Sequence, residues 1–441
     1  LTAYKVNPSD GTFSIAWEHG GKLNSISHPA RTIVVGLRDN DSPYDKMVGP
    51  FTTANAELVD QLDDNPNFGL AADAGVNVIS FLTNKGESYT GVGIRSSALA
   101  PISHSAPVVV GKSPFDSDYG GLTAAQKSAF AAFRTMTETR PTGVLVEAAD
   151  GMLHSVLEKS TAAACTVPGE ADPSCPSGRE SWSLVAGSLY LGSNGEFQPL
   201  VQSLFKLKQG GWGALYLNNT ASVADVCGDG SGEANNCVLA DWKTIALISQ
   251  REGGRGIAAV DVTNPSLAPN LSRFLWDFSE GDLGFTYSAP AIGRISNDSG
   301  NDEFVAIFGG GYDDPGTTGV GQFEGRVVYV VNALTGHLIK KFRKFDRGAV
   351  LDIDLMTEVV GRPAIHRRPG SNFTYISSAF VAAGETLYGL RFATPTGAQH
   401  ADDAKWKPDE IFDPTSSRNL DAATCPAPPC PTIKVRSVYE S

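Results

Sequence analysis

Basic charge is in short supply in this 441-residue chain: 35 Lys and Arg stand against 48 Asp and Glu, leaving a net charge of −13. That balance excludes the basic stripe of a nucleic-acid scaffold and the polybasic patch of a membrane-surface binder. The sequence also has no run approaching the 18 or more apolar residues that a membrane-spanning helix needs. Methionine is scarce, at four residues, while 47 Gly and 26 Pro punctuate the chain; such a sequence does not suit a helical bundle and is long enough to bury a sizeable core. Leu1 opens an alternating LTAYKV pattern with no charged or apolar leader. The first residue therefore reads as the middle of a folded element, with any signal peptide or upstream domain outside the chain.

Six cysteines fall as three close pairs, each bracketing a turn-rich stretch: Cys165 with Cys175, Cys227 with Cys237, and Cys425 with Cys430. Fifteen connectivities are formally open, and the local, sequential one is favoured. A zinc site wants closer cysteines with histidines beside them, which these spacings do not offer. Disulfides imply an oxidising compartment, hence a periplasmic, surface or secreted protein.

A short alternating strand ending in a Gly or Asp turn recurs five times: LTAYKV (1–6), GMLHSVLE (151–158), GIAAVDVTNP (256–265), RVVYVVNALTGHLIKKF (326–342) and TLYGLRF (386–392). Further strand-like runs lie between, at 142–148, 244–249, 304–310 and 372–383. Short strands with turn signals predict an all-β fold, and repetition of a multi-strand unit favours a β-propeller of six to eight blades. The later copies are 105, 70 and 60 residues apart, which predicts that some intervals hold one blade and others two, with long insertions. One helix is expected over 122–140, with Thr123 and Gln126 as a capping box and Phe130, Phe133 and Met136 stacked on one face. A shorter one is expected over 55–64. Both read as excursions packed on the β body.

Motifs for chemistry are missing. The seven histidines are scattered without HExxH or HxH, and neither a GxSxG elbow nor a P-loop is present. GGRGIAAVD (253–261) lacks the GxGxxG order and reads as a turn entering a strand. For a metal, the oxygen-rich loop containing Asp298, Asn301 and Asp302 is a weak calcium candidate, because no later acidic ligand follows. The loop from Asp225 to Asp241 reads first as a disulfide-stapled surface loop and second as a metal site. Trp182, Trp212 and Trp406 could stack on sugar or protein, but blade-core packing is the stronger reading.

Several stretches occur in a fixed order: ALAPISHSAPVVVG (98–111), FAAFRTMTETRPTGVLVEAADGMLHSV (130–156), ADWKTIALISQREGGRGIAAVDVTNPS (240–266), FLWDFSEGDLGFTYSAPAIGRI (274–295), FVAIFGGGYDD (304–314) and RVVYVVNALTGHLI (326–339). Together they resemble the C-terminal domain of the PilY-type proteins of bacterial type IV pili. The resemblance implies a single modified seven-bladed propeller over 1–441, without the family's N-terminal von Willebrand A-like region. It implies a non-enzymatic pilus-tip component, exported through the periplasm of a Gram-negative-type bacterium to the cell surface. There it would bind minor pilins and host or abiotic surfaces, and act in pilus assembly, retraction control and adhesion. No cofactor, nucleic-acid partner or membrane span is expected. The family's calcium loop aligns with 364–375, where His366, Arg367, Arg368 and Ser371 replace the acidic ligands, a poor host for calcium. The family's closing strand has no match after TIKVRSVYES (432–441). The NALTGHLIKKF turn also resembles the docking turn of quinoprotein propellers and reads here as structural. The alternatives are a propeller enzyme or quinone-cofactor oxidoreductase, disfavoured by the missing vicinal cysteines and docking Trp, and a sugar-binding propeller lectin.

Overall fold

A computed structural model describes residues 1–24, 31–38, 46–63, 74–84, 86–89, 93–113, 123–159, 178–190, 217–296, 302–313, 324–347, 350–354, 358–366, 375–384, 386–392 and 406–412. Contacts divide the chain into two compact units, one of Leu1–Pro114, Ala132–Asp225 and Lys243–Ser279, the other of Phe115–Ala131, Val226–Trp242 and Glu280–Ser441.

The first unit contains a six-stranded sheet in the order Lys46–Pro50, Ile33–Arg38, Arg179–Ala186, Met152–Lys159, Thr142–Ala148, Val108–Val110. Pairing is antiparallel except where Arg179–Ala186 runs parallel to Ile33–Arg38. A four-stranded sheet follows: Ser222–Cys227, Trp242–Ser249, Ile257–Asp261 and Phe274–Phe278. The second unit contains the four-stranded sheet Ala291–Ser296, Asp302–Gly309, Val328–Asn332 and Leu338–Phe342. Its six-stranded sheet is ordered Val350–Asp354, Lys344–Arg347, Lys407–Phe412, Thr386–Arg391, Ser378–Ala383, Ala364–His366.

Four meanders of four consecutive strands emerge from this order, and a four-stranded meander is the blade of a β-propeller. The fold is all-β with short helices, built from propeller-type blades. The recurring sequence signature has a structural meaning: 151–158, 256–265, the first half of 326–342, and 386–392 supply the third strand of each meander. The runs between them supply the second strands. Among the described residues, the four later copies therefore mark four successive meanders, whereas LTAYKV forms a two-stranded hairpin with Phe13–Glu18. The expectation that the longer intervals hold two blades falls in part on residues 160–177 and 191–216, which lie outside the described residues.

These strands read as near-continuous apolar runs because both faces are covered. Thr142–Ala148 and Asp302–Gly309 are buried along almost their whole length, as expected for strands with packing on both sides. Glycine permits the closest approaches. A Cβ at Gly36 would stand 2.4 Å from the Phe274 ring, and one at Gly143 would stand 2.5 Å from Pro265.

The expected long helix is Ala124–Glu138. Its capping box is formed: the Thr123 N–H donates to Gln126 Oε1 at 2.8 Å and the Gln126 N–H to Thr123 Oγ1 at 3.3 Å. Phe130 and Phe133 are buried, but Met136 is 43% exposed, so the expected apolar stack ends one turn early. The second expected helix is Ala56–Asp63. A third, Ala74–Thr83, was not expected; its Val78, Ile79 and Leu82 pack with Leu58 against the first unit's sheets.

One of the three expected disulfides, between Cys227 and Cys237, is formed. The other two expected pairs, Cys165 with Cys175 and Cys425 with Cys430, lie outside the described residues. The formed bridge closes a loop of sequence separation 10, for which the chain-entropy model gives about 2–3 kcal/mol. Replacing both Cys227 and Cys237 by serine should lower the unfolding free energy by about that amount, read from urea melts against the oxidised parent.

Candidate functional site

The sequence element DGMLHSV turns out to organise a buried charge network in the first unit. The tight turn at Ala149–Gly151, where Gly151 takes φ +81°, joins Thr142–Ala148 to Met152–Lys159. It places Asp150 beside His154, whose Nε2 donates to Asp150 Oδ1 at 3.1 Å. On the other side of the ring, Nδ1 lies 2.7 Å from Glu180 Oε1, on the neighbouring strand Arg179–Ala186. Arg31 forks onto the Glu180 carboxylate at 2.8 and 3.0 Å, Arg95 pairs with Asp150 at 2.8 Å, and Ser183 Oγ donates to Glu180 Oε1 at 2.6 Å. Asp150, His154 and Glu180 are all buried.

His19 completes the group from the opening hairpin. It begins the short helix His19–Asn24, whose Gly20 and Gly21 N–H groups donate to the Glu18 carboxylate at 2.7 and 2.6 Å. Gly178, at φ +84° and packed tightly under Trp17, presents its carbonyl to His19 Nδ1 at 2.9 Å. The His19 ring is fully buried, and its Nε2 has no hydrogen-bond partner among the described residues. One ligating atom from each of His19, His154 and Glu180 lies within 4.8 Å of the other two. Two imidazoles and a carboxylate can hold a metal ion.

Electrostatics separate the two histidines. Burial alone would lower His154, but the charge of Asp150 and the hydrogen bonds to Asp150 and Glu180 outweigh it and raise its pKa to about 9. Burial dominates at His19 and brings it down to about 4, against the opposing pull of the Gly178 carbonyl. Asp150, raised by burial but more strongly lowered by His154, Arg95 and Arg31, settles at about 2. Burial opposes ionisation of Glu180 too, yet Arg31 and His154 hold it well below the usual carboxylate range.

Stability therefore depends on pH in two directions. His154, raised from 6.5 to about 9, contributes fully below its unfolded value, and the contribution disappears as pH rises through 9. His19, lowered to about 4, contributes above 6.5, and that contribution disappears as pH falls through 4. Each limb is worth about 3 kcal/mol. Urea melts of chelator-treated protein should show greatest stability near pH 6.5, and His19→Gln should flatten the acidic limb alone. An unchanged acidic limb in that variant would contradict the assignment.

A second cluster sits in the other unit. Asp282 accepts hydrogen bonds from Tyr329 Oη, from Arg343 Nε at 2.7 Å and from Lys341 Nζ at 3.4 Å. Burial raises Asp282, and the hydrogen bonds from Tyr329 and Arg343 outweigh it, so its pKa is lowered. Beside it, the DLGF and GGGY stretches cross: Phe285 and Tyr312 exchange backbone hydrogen bonds at 2.8 Å. A Cβ on Gly284 would meet the Tyr312 carbonyl at 2.3 Å.

The residues singled out from sequence occupy different surroundings. Asp302 accepts from Arg294 through Oδ2 and from Tyr375 Oη at 2.7 Å through Oδ1, so both carboxylate oxygens have partners. Asp298 and Asn301 lie outside the described residues, as do Arg367, Arg368, Ser371 and Trp212. His366 shares a 3.0 Å hydrogen bond with Ser377. Trp182 and Trp406 are buried and pack within the blades. Asp225, expected on a surface loop, is instead buried: it accepts from Ser113 and from Thr244 Oγ1 at 2.6 Å. A hydroxyl from the neighbouring strand, on Thr244, and one from Ser113 draw it inward. Asp229 closes its own turn, accepting from Ser231 and Glu233 N–H at 2.9 and 3.1 Å. In the NALTGH turn, Asn332 Oδ1 accepts from Leu334 and Thr335 N–H at 3.0 Å, and Gly336 has φ +71°. The turn is structural, joining the last two strands of its blade.

His19, Arg31, Arg95 and Glu180 carried no sequence signal of their own, being far apart in the chain. Asp150 and His154 fall within the DGMLHSV stretch, which was read from sequence as a strand and turn and not as a charge site.

No protein-family model matches the chain. Among curated proteins, the type IV pilus biogenesis factor PilY1 of Pseudomonas aeruginosa is 25% identical over 321 residues, covering 71% of this chain and 24% of that protein. A PilY1 homologue of Xylella fastidiosa is 28% identical over 263 residues, covering 57% of this chain and 14% of that protein. The chain thus spans 24% or less of the length of these two relatives. Among solved structures, the Pseudomonas aeruginosa PilY1 C-terminal domain aligns at a TM-score of 0.41 and 19% identity, over 65% of this chain and 45% of that one. BamB from Moraxella catarrhalis aligns at a TM-score of 0.26 and 10% identity, over 60% and 52%. On this sequence relationship, the chain is similar to PilY1-type proteins of type IV pilus biogenesis over 57–71% of its length.

Proposed function

We propose that this chain belongs to an exported protein of type IV pilus biogenesis, working by protein binding at the pilus tip without catalysing a reaction. Minor pilins are its partners, and its loops contact host or abiotic surfaces, coupling adhesion to control of pilus retraction. The observation that carries this reading is the sequence relationship to pilus biogenesis factors over 71% of the chain. The Cys227–Cys237 disulfide supports export. The buried network supports a non-catalytic role: Asp150, His154 and Glu180 bind one another and two arginines where no substrate can reach them. Deleting the gene in its own organism should remove most surface pili and surface motility, with restoration by the full-length gene. Normal piliation in the deletion strain would refute the proposal, as would a tightly bound chromophore in the absorbance spectrum of the purified protein.

A further inference from the structure

We propose that His19, His154 and Glu180 form a structural site for a divalent transition metal of the zinc class, independent of the pilus reading. The donors are already gathered: their ligating atoms lie within 4.8 Å of one another. Bonds of about 2.0–2.2 Å to zinc set tetrahedral donors about 3.4 Å apart, so shifts of about 1 Å are needed, with His154 Nδ1 and Glu180 Oε1, now 2.7 Å apart, opening to admit the ion. Two nitrogens and one oxygen suit zinc-class ions, whereas calcium requires six to eight oxygens.

The surroundings orient the donors as metal ligands are oriented. A ligating histidine usually donates its second ring N–H to a carboxylate or a backbone carbonyl, which fixes the tautomer and the ring plane. Both histidines do so. His19 Nδ1 is held by the Gly178 carbonyl at 2.9 Å, and His154 Nε2 by Asp150 Oδ1 at 3.1 Å, with Asp150 itself anchored by Arg95. His19 Nε2 and His154 Nδ1 are thereby left for the ion. Arg31 Nε binds Glu180 Oε2 at 2.8 Å and steadies the carboxylate. Ser183 Oγ, 3.1 Å from His154 Nδ1 and 2.6 Å from Glu180 Oε1, stands at the same point with a further oxygen.

His19 Nε2 supplies the independent observation. It is fully buried and has no partner among the described residues, a situation that a fold avoids unless something occupies the position. A metal at this point accepts the Nε2 lone pair and takes the place of the proton that lies between His154 and Glu180. It would fasten the opening hairpin and its short helix to the blade strands Met152–Lys159 and Arg179–Ala186.

The test uses the untagged full chain with disulfides intact, stripped with chelator and then titrated with zinc or cobalt(II). Equilibrium dialysis should give a zinc equivalent that depends on His19, and cobalt should develop the visible absorption of a four-coordinate ion. His19→Gln keeps a donor for the Gly178 carbonyl and removes the Nε2 acceptor. It should weaken binding at least tenfold and abolish the cobalt band, while its metal-free circular dichroism matches the parent. In the parent protein, independently of any variant, zinc should shift the 15N resonance of His19 Nε2. Absence of stoichiometric binding, binding undiminished in His19→Gln, or a His19 resonance unchanged at saturating zinc would each overturn the proposal.

Discussion

Glu180→Ala should destabilise the protein by about 3–5 kcal/mol, the cost of breaking a buried ion pair by removing one partner. Glu180 is buried and accepts from both arms of Arg31, from Ser183 and from His154. Its removal leaves a guanidinium and an imidazolium without their shared counter-charge, in a place water does not reach. The loss belongs to the network and not to a single contact, so the effects should not add. Adding Arg31→Met to Glu180→Ala should restore part of the loss by removing the stranded charge. Urea melts of the two single variants and the double close the cycle. Additive losses would show that Arg31 and Glu180 act separately.

Trp182→Ala should cost about 3–5 kcal/mol by a different route, the cavity left by a large buried aromatic. Trp182 is 1% exposed in the core of the first unit. Its Nε1–H donates to the Pro265 carbonyl at 2.9 Å, and the same oxygen accepts from Ser155 Oγ at 2.8 Å and Ser181 Oγ at 3.0 Å. Pro265, from the VTNP turn, thus inserts into the neighbouring sheet, and Gly143 is small enough to admit it. Trp182→Phe separates the two contributions. It should keep most of the packing and lose one of three donors to that carbonyl, for about 1 kcal/mol. A Phe variant as unstable as the Ala variant would mean that the hydrogen bond, and not the ring volume, holds this junction.

The blades were legible because their inner strands carry two independent signals, β-rich apolar runs and turn residues at fixed offsets. The repeat at 151–158, 256–265, 326–342 and 386–392 tracks the third strand of each meander. The helix at Ala124–Glu138 was legible through Thr123 and Gln126, whose capping is local and therefore written in adjacent residues. The helix Ala74–Thr83 was not legible. Its AGVNVISFLT sequence is apolar and partly β-branched, and without a clear amphipathic stripe such a run cannot be told from a buried strand. Met136 was misplaced because helical periodicity identifies a face but not how far the neighbouring surface extends. At the charge site, Asp150 and His154 share one turn, whereas His19, Arg31 and Glu180 arrive through strand pairings such as Ser183 opposite Ile33 and His154. Such convergence depends on register between distant strands, which no local spacing encodes. Asp225 shows the complement: a carboxylate, a group common at surfaces, is buried here because two hydroxyls satisfy it.

The most direct measurement is cross-linking mass spectrometry on pili sheared from the organism that makes this protein. The account predicts that the chain is recovered with the pilus fraction and cross-linked to minor pilins. Recovery of intact pili that lack it, with the protein confined to cells and linked to no pilin, would contradict it.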